Sequence, residues 1–521
     1  MTTALIGYTG FVGLNLQQFY KIDFFYNSKN INDICHKEFD TVFFCGIPAV
    51  KWLANKNPED DINIISNIIN IIKTIKVNKF ILISTIDVYE DTNSEKDEKY
   101  NCKSDLNHAY GKHRYIFEKF IESHFINYHI IRLPALFGKG LKKNIIFDLL
   151  NNNQINNISV NTSFQWYCLD WLKNDITIIL ENNIKICNLF PEPLPTIKIL
   201  NLFHYDILKM DNVKKINYNI KTCYYKLFNS ACTGYIRSSD IVEEYLKKYI
   251  DFTKINKDNL VVSNICSNNI SQLQFSCILK LFGITNVQIA PTMLTTWETF
   301  NNISFDIFEN NGINVYSMQS ITYTLNNLNI FDPDTEDKLF DHIRNVVDVA
   351  SRKNIKILVF GCPRNRYVKN IYNPYENENV FISFFKKLGD YCKGKNITIC
   401  IENNSRQYNC NFLNKISEVG EIVQKINNNC IKMMVDLGNI IMENDNIYDI
   451  YKYSQNIYNI DISQENMKNY ILPNEKNLLF KNILNDINYS KKINLEMLAS
   501  NLEEICVSII NFINIYGINN L

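Results

Sequence analysis

Two sets of residues in this chain are of types and spacings that could do chemistry. The first is the glycine triplet Gly7, Gly10 and Gly13 in Ala4-Leu5-Ile6-Gly7-Tyr8-Thr9-Gly10-Phe11-Val12-Gly13. The apolar run before it reads as a strand, and Phe11, Val12, Leu14 and Leu16 begin a helical pattern after it. A strand, a glycine turn and a helix N-terminus make an anion site, because free backbone N–H groups and the helix dipole converge on one spot. Gly7 permits the tight turn, Gly10 lets a diphosphate approach the backbone, and Gly13 lets helix and strand pack closely. That pattern points to a dinucleotide, NAD or NADP, held by Gly7, Gly10, Phe11, Val12 and Gly13.

The second set is four carboxylates, Glu402, Asp436, Asp461 and Glu496, each at or near the end of a short apolar stretch. Like charges brought together raise one another's pKa and repel, so such a ring is costly without a cation. Oxygen ligands suit Mg²⁺ or Mn²⁺, while an all-carboxylate set is poor for Zn²⁺. Two of the four could also move protons on either side of a bound sugar carbon.

These residues need elements to hold them. In the first half, apolar runs at Phe24 to Tyr26, Thr41 to Cys45, Phe80 to Ser84 and His129 to Leu133 alternate with helical patterns. The alternation predicts an α/β fold, a Rossmann-type doubly wound parallel sheet with helices on both faces. Its second strand ends in Tyr26-Asn27-Ser28-Lys29, with no acid to bind a ribose 2′-hydroxyl. Ser28 and Lys29 could instead accept a 2′-phosphate, a slight lean toward NADP, although a solvated surface lysine is the plainer reading of Lys29.

In the second half eight apolar segments follow one another: Leu260–Asn264, Asn286–Ala290, Ile313–Met318, Ile355–Phe360, Ile397–Ile401, Ile431–Val435, Ile457–Ile462 and Ile493–Leu495. Helix-period stretches separate most of them. Eight such units over about 260 residues predict a C-terminal (β/α)8 TIM barrel, whose chemistry sits at the carboxyl ends of its strands. The polar run Asp251 to Asn259 predicts a linker, giving a first domain over 1–250, a linker over 251–259 and a barrel over 260–521.

Composition bounds the reading. At 521 residues the chain is too long for one ordinary core, and 46% apolar residues are ample for more than one. Lys+Arg 54 against Asp+Glu 54 leaves no net charge, which argues against a nucleic-acid or membrane-surface partner. The 15 cysteines are odd in number and never form a CxxC pair, so reduced thiols are expected rather than disulfides or structural zinc. A strand begins at once, leaving no room for a signal peptide, and no apolar run reaches the ~18 residues of a membrane span. The expectation is a soluble, cytoplasmic protein.

The order of the glycine triplet, Ser84-Thr85-Ile86-Asp87-Val88-Tyr89, Tyr110-Gly111-Lys112-His113-Arg114 and Arg132-Leu133-Pro134 resembles the extended short-chain dehydrogenase/reductase family. This is the NAD-dependent epimerase/dehydratase group that acts on nucleotide sugars, and the resemblance spans residues 1 to about 245. It implies that Tyr110 is the catalytic acid/base and that Thr85 hydrogen-bonds the substrate oxygen. A tyrosine is a poor base at neutral pH unless a cation lowers its pKa. The family uses a lysine four residues on, which also grips the nicotinamide ribose; here that position is Arg114. Arginine keeps the field that would depress Tyr110 but cannot give up a proton. Asp87 stands where some dehydratases of the family carry an acid, but Ile86 replaces its acidic neighbour, which favours epimerisation or reduction over dehydration. Phe164-Gln165-Trp166-Tyr167 and Asn188-Leu189-Phe190-Pro191-Glu192-Pro193 fall where the substrate should bind, and could stack a base or sugar or belong to the core.

The second half resembles the xylose isomerase-like sugar-phosphate isomerase/epimerase barrels, through Ser263-Asn264-Ile265, Ile289-Ala290-Pro291-Thr292, Ser317-Met318-Gln319-Ser320, Val359-Phe360-Gly361, Ile401-Glu402-Asn403 and Val435-Asp436-Leu437-Gly438. The family's ligand set is Glu, Asp, His, Glu. Glu402, Asp436 and Glu496 match it, and Asp461 replaces the histidine. A further histidine common after the aspartate is also missing, with Gly438-Asn439 in its place. The half from residue 260 contains one histidine, His342, in a helical stretch, which excludes the histidine-rich zinc endonucleases that share the fold. By the resemblance, Glu402, Asp436, Asp461 and Glu496 hold Mn²⁺ or Mg²⁺, and Glu402 and Glu496 transfer protons on a keto- or aldo-sugar. Arg364, Asn365 and Arg366 could receive an anionic group of the substrate.

Together the halves imply a fused carbohydrate enzyme acting on a nucleotide sugar or sugar phosphate, for which a homodimer is admissible. The alternative is a non-catalytic sensor of a nucleotide sugar or NAD(P), with both sites degenerate and the acids serving lysine and arginine partners.

Overall fold

Six parallel strands form the sheet of the first half: β1 (Thr3–Ile6), β2 (Phe24–Tyr26), β3 (Glu38–Phe44), β4 (Lys76–Thr85), β5 (Tyr128–Leu133) and β6 (Ile186–Asn188). The computed structural model describes residues 2–205, 216–369 and 373–519. The strands lie in the order β2-β1-β3-β4-β5-β6. Successive side chains of a strand point to opposite faces, and here both faces are covered. Leu5, Phe43, Ile81 and Ile131 enter one core; their neighbours Ala4, Val42, Phe80, Leu82 and Ile130 enter the other. Burial on both faces is why these strands read as continuous apolar runs rather than alternating ones. The order reverses between β1 and β3, which opens a crevice at their carboxyl ends.

The eight strands of the second half close into a barrel: β7 (Leu260–Ser263), β8 (Asn286–Ile289), β9 (Asn314–Met318), β10 (Ile357–Phe360), β11 (Thr398–Glu402), β12 (Ile431–Asp436), β13 (Ile457–Ile462) and β14 (Ile493–Leu495). Neighbours in sequence are neighbours in space, and β7 pairs parallel with β14 to complete the ring. The outer helices follow from amphipathic patterning. In Glu336–Arg352, Leu339, Ile343, Val346, Val347 and Ala350 form the buried stripe, with Glu336 and Asp337 in the first turn and Arg352 in the last, each sign favoured by the helix dipole. His342 lies on this helix and its Nε2 bonds the Ile321 carbonyl oxygen at 2.8 Å, so it is spent on structure.

One expectation needs correction and one open alternative is decided. The chain divides into compact units between Lys254 and Ile255, and the stretch 251–259 is not an extended linker. The helix Ser239–Lys254 runs through its start, and Ile255–Asn256 pairs antiparallel with Ile518–Asn519. Its polarity reflects the solvent-facing residues of that helix end. Of the two readings open for the aromatic segments, the core one holds for Trp166, Tyr167 and Phe190, which are all buried in apolar clusters. Among the described residues no helix is long and apolar enough to cross a membrane.

Candidate functional site

In the first unit the glycine turn is built by close approach. Gly7 has φ +85, and a Cβ there would lie 2.5 Å from the Cys45 carbonyl oxygen; one on Gly13 would lie 2.2 Å from the Gly7 oxygen. The helix Phe11–Leu16 starts at Gly10 with no side-chain cap, so its first amides face the crevice without a competing side chain. That helix has six residues, so the backbone amides rather than a long dipole must supply the attraction.

A cavity of about 1390 Å³ opens there, bordered by Gly7, Gly10, Phe11 and Val12 and also by Thr85 and Tyr110. Ser28 borders it and Lys29 does not; Asn27, two residues before Lys29, borders it instead. Asn27 Oδ1 also accepts the Lys29 N–H at 2.8 Å, fixing the turn.

Tyr110 sits on the first turn of the helix Ala109–His124, with Arg114 one turn on. The guanidinium carbon of Arg114 lies 3.9 Å from the centre of the Tyr110 ring. Arg114 is itself buried: Nη1 is bonded to Asp61 Oδ2, and Nη2 donates to the Pro48 carbonyl at 2.5 Å. His113 Nδ1 meets the same Asp61 oxygen at 2.8 Å. Burial pushes the Tyr110 phenol above its ordinary value, and the pull of Arg114 does not offset it. Arg114 does act to lower the phenol, as expected of its charge, but desolvation is the larger effect and the charge of Asp61 opposes Arg114, so the net shift is upward.

Thr85 Oγ1 accepts the Asp87 N–H at 3.2 Å. Asp87 is held by a residue with no motif to announce it: Lys51 Nζ lies 2.6 Å from Asp87 Oδ1, and both border the cavity. Burial draws the Lys51 ammonium down, but Asp87 and Tyr218 more than compensate and raise it. His108 Nδ1 accepts the Gly111 N–H at 3.0 Å, and its Nε2 lies 3.9 Å from Asp87 Oδ1.

In the barrel the strand ends place the acids. Glu402 and Asp436 are the last residues of β11 and β12, Asp461 is the penultimate residue of β13, and Glu496 follows β14 directly. Carboxylate oxygens of Asp436, Asp461 and Glu496 come within 4.8 Å of one another. Glu402 stands beside this group rather than in it, with Oε1 accepting from Asn439 Nδ2 at 3.1 Å.

Asp436 accepts the Asn439 N–H at 2.6 Å and the Ser463 hydroxyl at 2.8 Å. Burial raises it to about 6 against those bonds. Burial and then the charge of Asp436 raise Glu496 to about 8. Burial and the neighbouring acids also push Asp461 and Glu402 well above the carboxylate range, while Arg366 pulls Glu402 back in part. Asp461 Oδ2 is buried and has no hydrogen-bond partner among the described residues.

Such a set fits a divalent cation. The donors are all oxygen, three of the acids converge, and one oxygen has no hydrogen-bond partner among the described residues. Arg366 is fully buried; its Nη1 and Nη2 have no hydrogen-bond partner among the described residues, and its Nε donates to Cys410 Sγ at 3.4 Å. Asn365 is occupied structurally, donating to the Leu325 and Leu328 carbonyls at 2.8 Å. A second cluster, Asp97, Glu98 and Cys223 in the first unit, is committed to structure: Glu98 accepts the Asn188 and Cys223 N–H groups and the Thr222 hydroxyl.

Comparison with known proteins accords with this division. Residues 11–161 match the NAD dependent epimerase/dehydratase family, and residues 306–508 match the xylose isomerase-like TIM barrel family. The two halves of the chain resemble these two families, one each. Among solved structures, D-allulose 3-epimerase from Methylomonas sp. is 16% identical, with 50% of this chain and 97% of that one covered at a TM-score of 0.42. The 3-keto-D-glucoside 4-epimerase YcjR from E. coli is 11% identical, covering 50% and 99% at 0.40. An AP endonuclease, family 2, from Brucella melitensis is 14% identical, covering 48% and 97% at 0.41. No curated protein matches the chain.

Proposed function

We propose that this protein is a bifunctional carbohydrate enzyme: an NAD(P)-dependent nucleotide-sugar epimerase or reductase joined to a divalent-metal-dependent sugar or sugar-phosphate isomerase/epimerase. The observation that carries the barrel half is the convergence of Asp436, Asp461 and Glu496 within 4.8 Å. Three buried acids at that separation repel one another unless protons or a cation intervene. Mn²⁺ or Mg²⁺ bound by Asp436, Asp461 and Glu496, with Glu402 beside them, would neutralise the set and polarise a sugar oxygen. Glu402 and Glu496 then exchange the proton on the sugar carbon next to the carbonyl, one removing it and the other returning it.

In the first unit Gly7, Gly10, Phe11, Val12 and Gly13 hold the diphosphate of NAD or NADP, with Asn27 and Ser28 toward the adenosine ribose. The cofactor supplies the hydride acceptor. Tyr110 takes or returns the proton on the sugar hydroxyl, Thr85 donates to the same oxygen, and Arg114 supports the tyrosine. A cavity of about 1390 Å³ supports this reading, since one drug-sized ligand needs about 300–1,000 Å³ and a dinucleotide with a sugar beside it needs more.

One observation favours a second reading for the first unit. Arg114 is buried against Asp61 and Tyr110 is raised, so the unit could hold cofactor and sense it without transferring hydride. Mass spectrometry of nucleotides and metals that co-purify, followed by turnover assays with nucleotide sugars and ketoses in added Mn²⁺, tests both halves. Bound dinucleotide and metal with sugar turnover supports the enzyme; bound dinucleotide with no turnover in any metal supports the sensor.

A further inference from the structure

Branched apolar side chains usually fill the interior of such barrels; here Ile357, Val359, Cys400 and Met434 form an apolar cluster on one side, while the side beneath Asp461 and Glu496 is polar. Asn459 precedes Asp461 by two residues and Asn494 precedes Glu496 by two, so each faces inward one layer beneath its acid. Both are buried, as is Gln288 on β8. Asn459 Nδ2 donates to Asp461 Oδ1 at 3.1 Å and Asn494 Nδ2 donates to the same oxygen at 3.0 Å. Asn494 Nδ2 also reaches Gln288 Oε1 at 2.7 Å, which fixes the amide's orientation. The two donors thus converge on one carboxylate oxygen, while the other, Oδ2, is buried with no partner among the described residues. A bare carboxylate oxygen in a dry interior is costly unless something positive meets it.

We propose that Asn459 and Asn494 are positioning residues that hold Asp461 for one-oxygen coordination. By occupying Oδ1 they leave Oδ2 alone to face a divalent cation shared with Asp436 and Glu496. Asn459 holds the carboxylate from beneath on its own strand and Asn494 from beside it, in register on the neighbouring strand, so it is kept from swinging to bidentate binding or withdrawing from the like charges around it. The same clamp makes an aspartate serve where a histidine would otherwise stand, and keeps the donor set all-oxygen. This inference rests on the metal reading of the barrel. Partners that orient a ligand commonly change metal affinity by about 10–100-fold when removed.

The test is a titration of the chelator-stripped full-length protein with Mn²⁺, reading the free ion by electron paramagnetic resonance. Asn459→Ala and Asn494→Ala should each weaken Mn²⁺ binding by about 10–100-fold while the circular dichroism of the folded protein is unchanged. Asn286→Ala serves as control, because Asn286 donates to backbone carbonyls at the opposite end of the barrel, at 3.3 Å to Asp258 and Leu260. It should lower thermal stability without moving Mn²⁺ affinity. Asn494→Ser keeps a smaller donor and carries the comparison if an alanine variant fails to fold; its affinity should fall less than that of Asn494→Ala. Folded variants that bind Mn²⁺ as tightly as the parent overturn the clamp and leave the metal reading standing. A parent protein that takes up no Mn²⁺ overturns both.

Discussion

The Arg114 guanidinium sits 3.9 Å from the centre of the Tyr110 ring, over its face and one helical turn away, while both its outer nitrogens are bonded elsewhere. A cation so placed stabilises the ring but shares its charge with Asp61. Burial holds the phenol above its ordinary value of 10.0 against the pull of that cation. Tyr110→Phe should therefore abolish any redox step and leave dinucleotide affinity nearly unchanged, as read by nucleotide fluorescence titration and by hydride exchange. In the parent, oxidation of a sugar hydroxyl should climb with pH through the neutral range with no plateau. A plateau near neutrality would show that a cation reaches the phenolate after all.

The ion pair behind that contact has its own consequence. Asp61, His113 and Arg114 are all buried, and Asp61→Asn leaves the guanidinium without its counter-charge. Breaking one side of a buried pair typically costs about 3–5 kcal/mol. The unfolding transition of the first unit in denaturant should shift by that order. A shift within error of zero would mean that water reaches Arg114 and that its charge is free to act on the cofactor site.

What could be read beforehand follows the range of the interactions. The glycine turn and the strand-end acids were legible because each is tied to a local pattern: a strand, a turn, and the end of an apolar run. The pairs that tune them are not local. Lys51 meets Asp87, and Arg114 meets Asp61, across elements that only the fold brings together. Trp166 and Tyr167 were ambiguous because an aromatic segment reads alike whether it stacks on a ligand or fills a core. Asn459 and Asn494 were hidden among the many asparagines of this chain, and only the inward register of β13 and β14 distinguishes them.

The acids make the barrel's stability depend on pH with a definite sign. Burial raises Glu496 from 4.5 to about 8 and Asp436 from 3.8 to about 6. The folded protein therefore holds protons that the unfolded chain has already lost. Their stabilising contribution is fully present below the unfolded values and disappears as pH rises through about 6 and then about 8. In chelator, the barrel's thermal midpoint should fall across that window, and added Mn²⁺ should restore it most at the alkaline end, where the carboxylates are free to bind. A midpoint that rises with pH in chelator would contradict the arrangement of buried acids.

Glu496→Gln separates function from stability at the same residue. The amide keeps the shape of the side chain but removes a charge that faces Asp436 and Asp461. Without metal that charge is a liability, so at pH about 8 the variant in chelator should unfold at a higher temperature than the parent. With metal the balance inverts: one ligand oxygen and one proton-transfer group are gone. Bound Mn²⁺ measured by elemental analysis should drop, and sugar turnover in the barrel should be lost. A variant that is destabilised in chelator would mean that Glu496 is held by a cationic partner rather than set against its fellow acids. One that retains turnover would place the proton transfer on another residue.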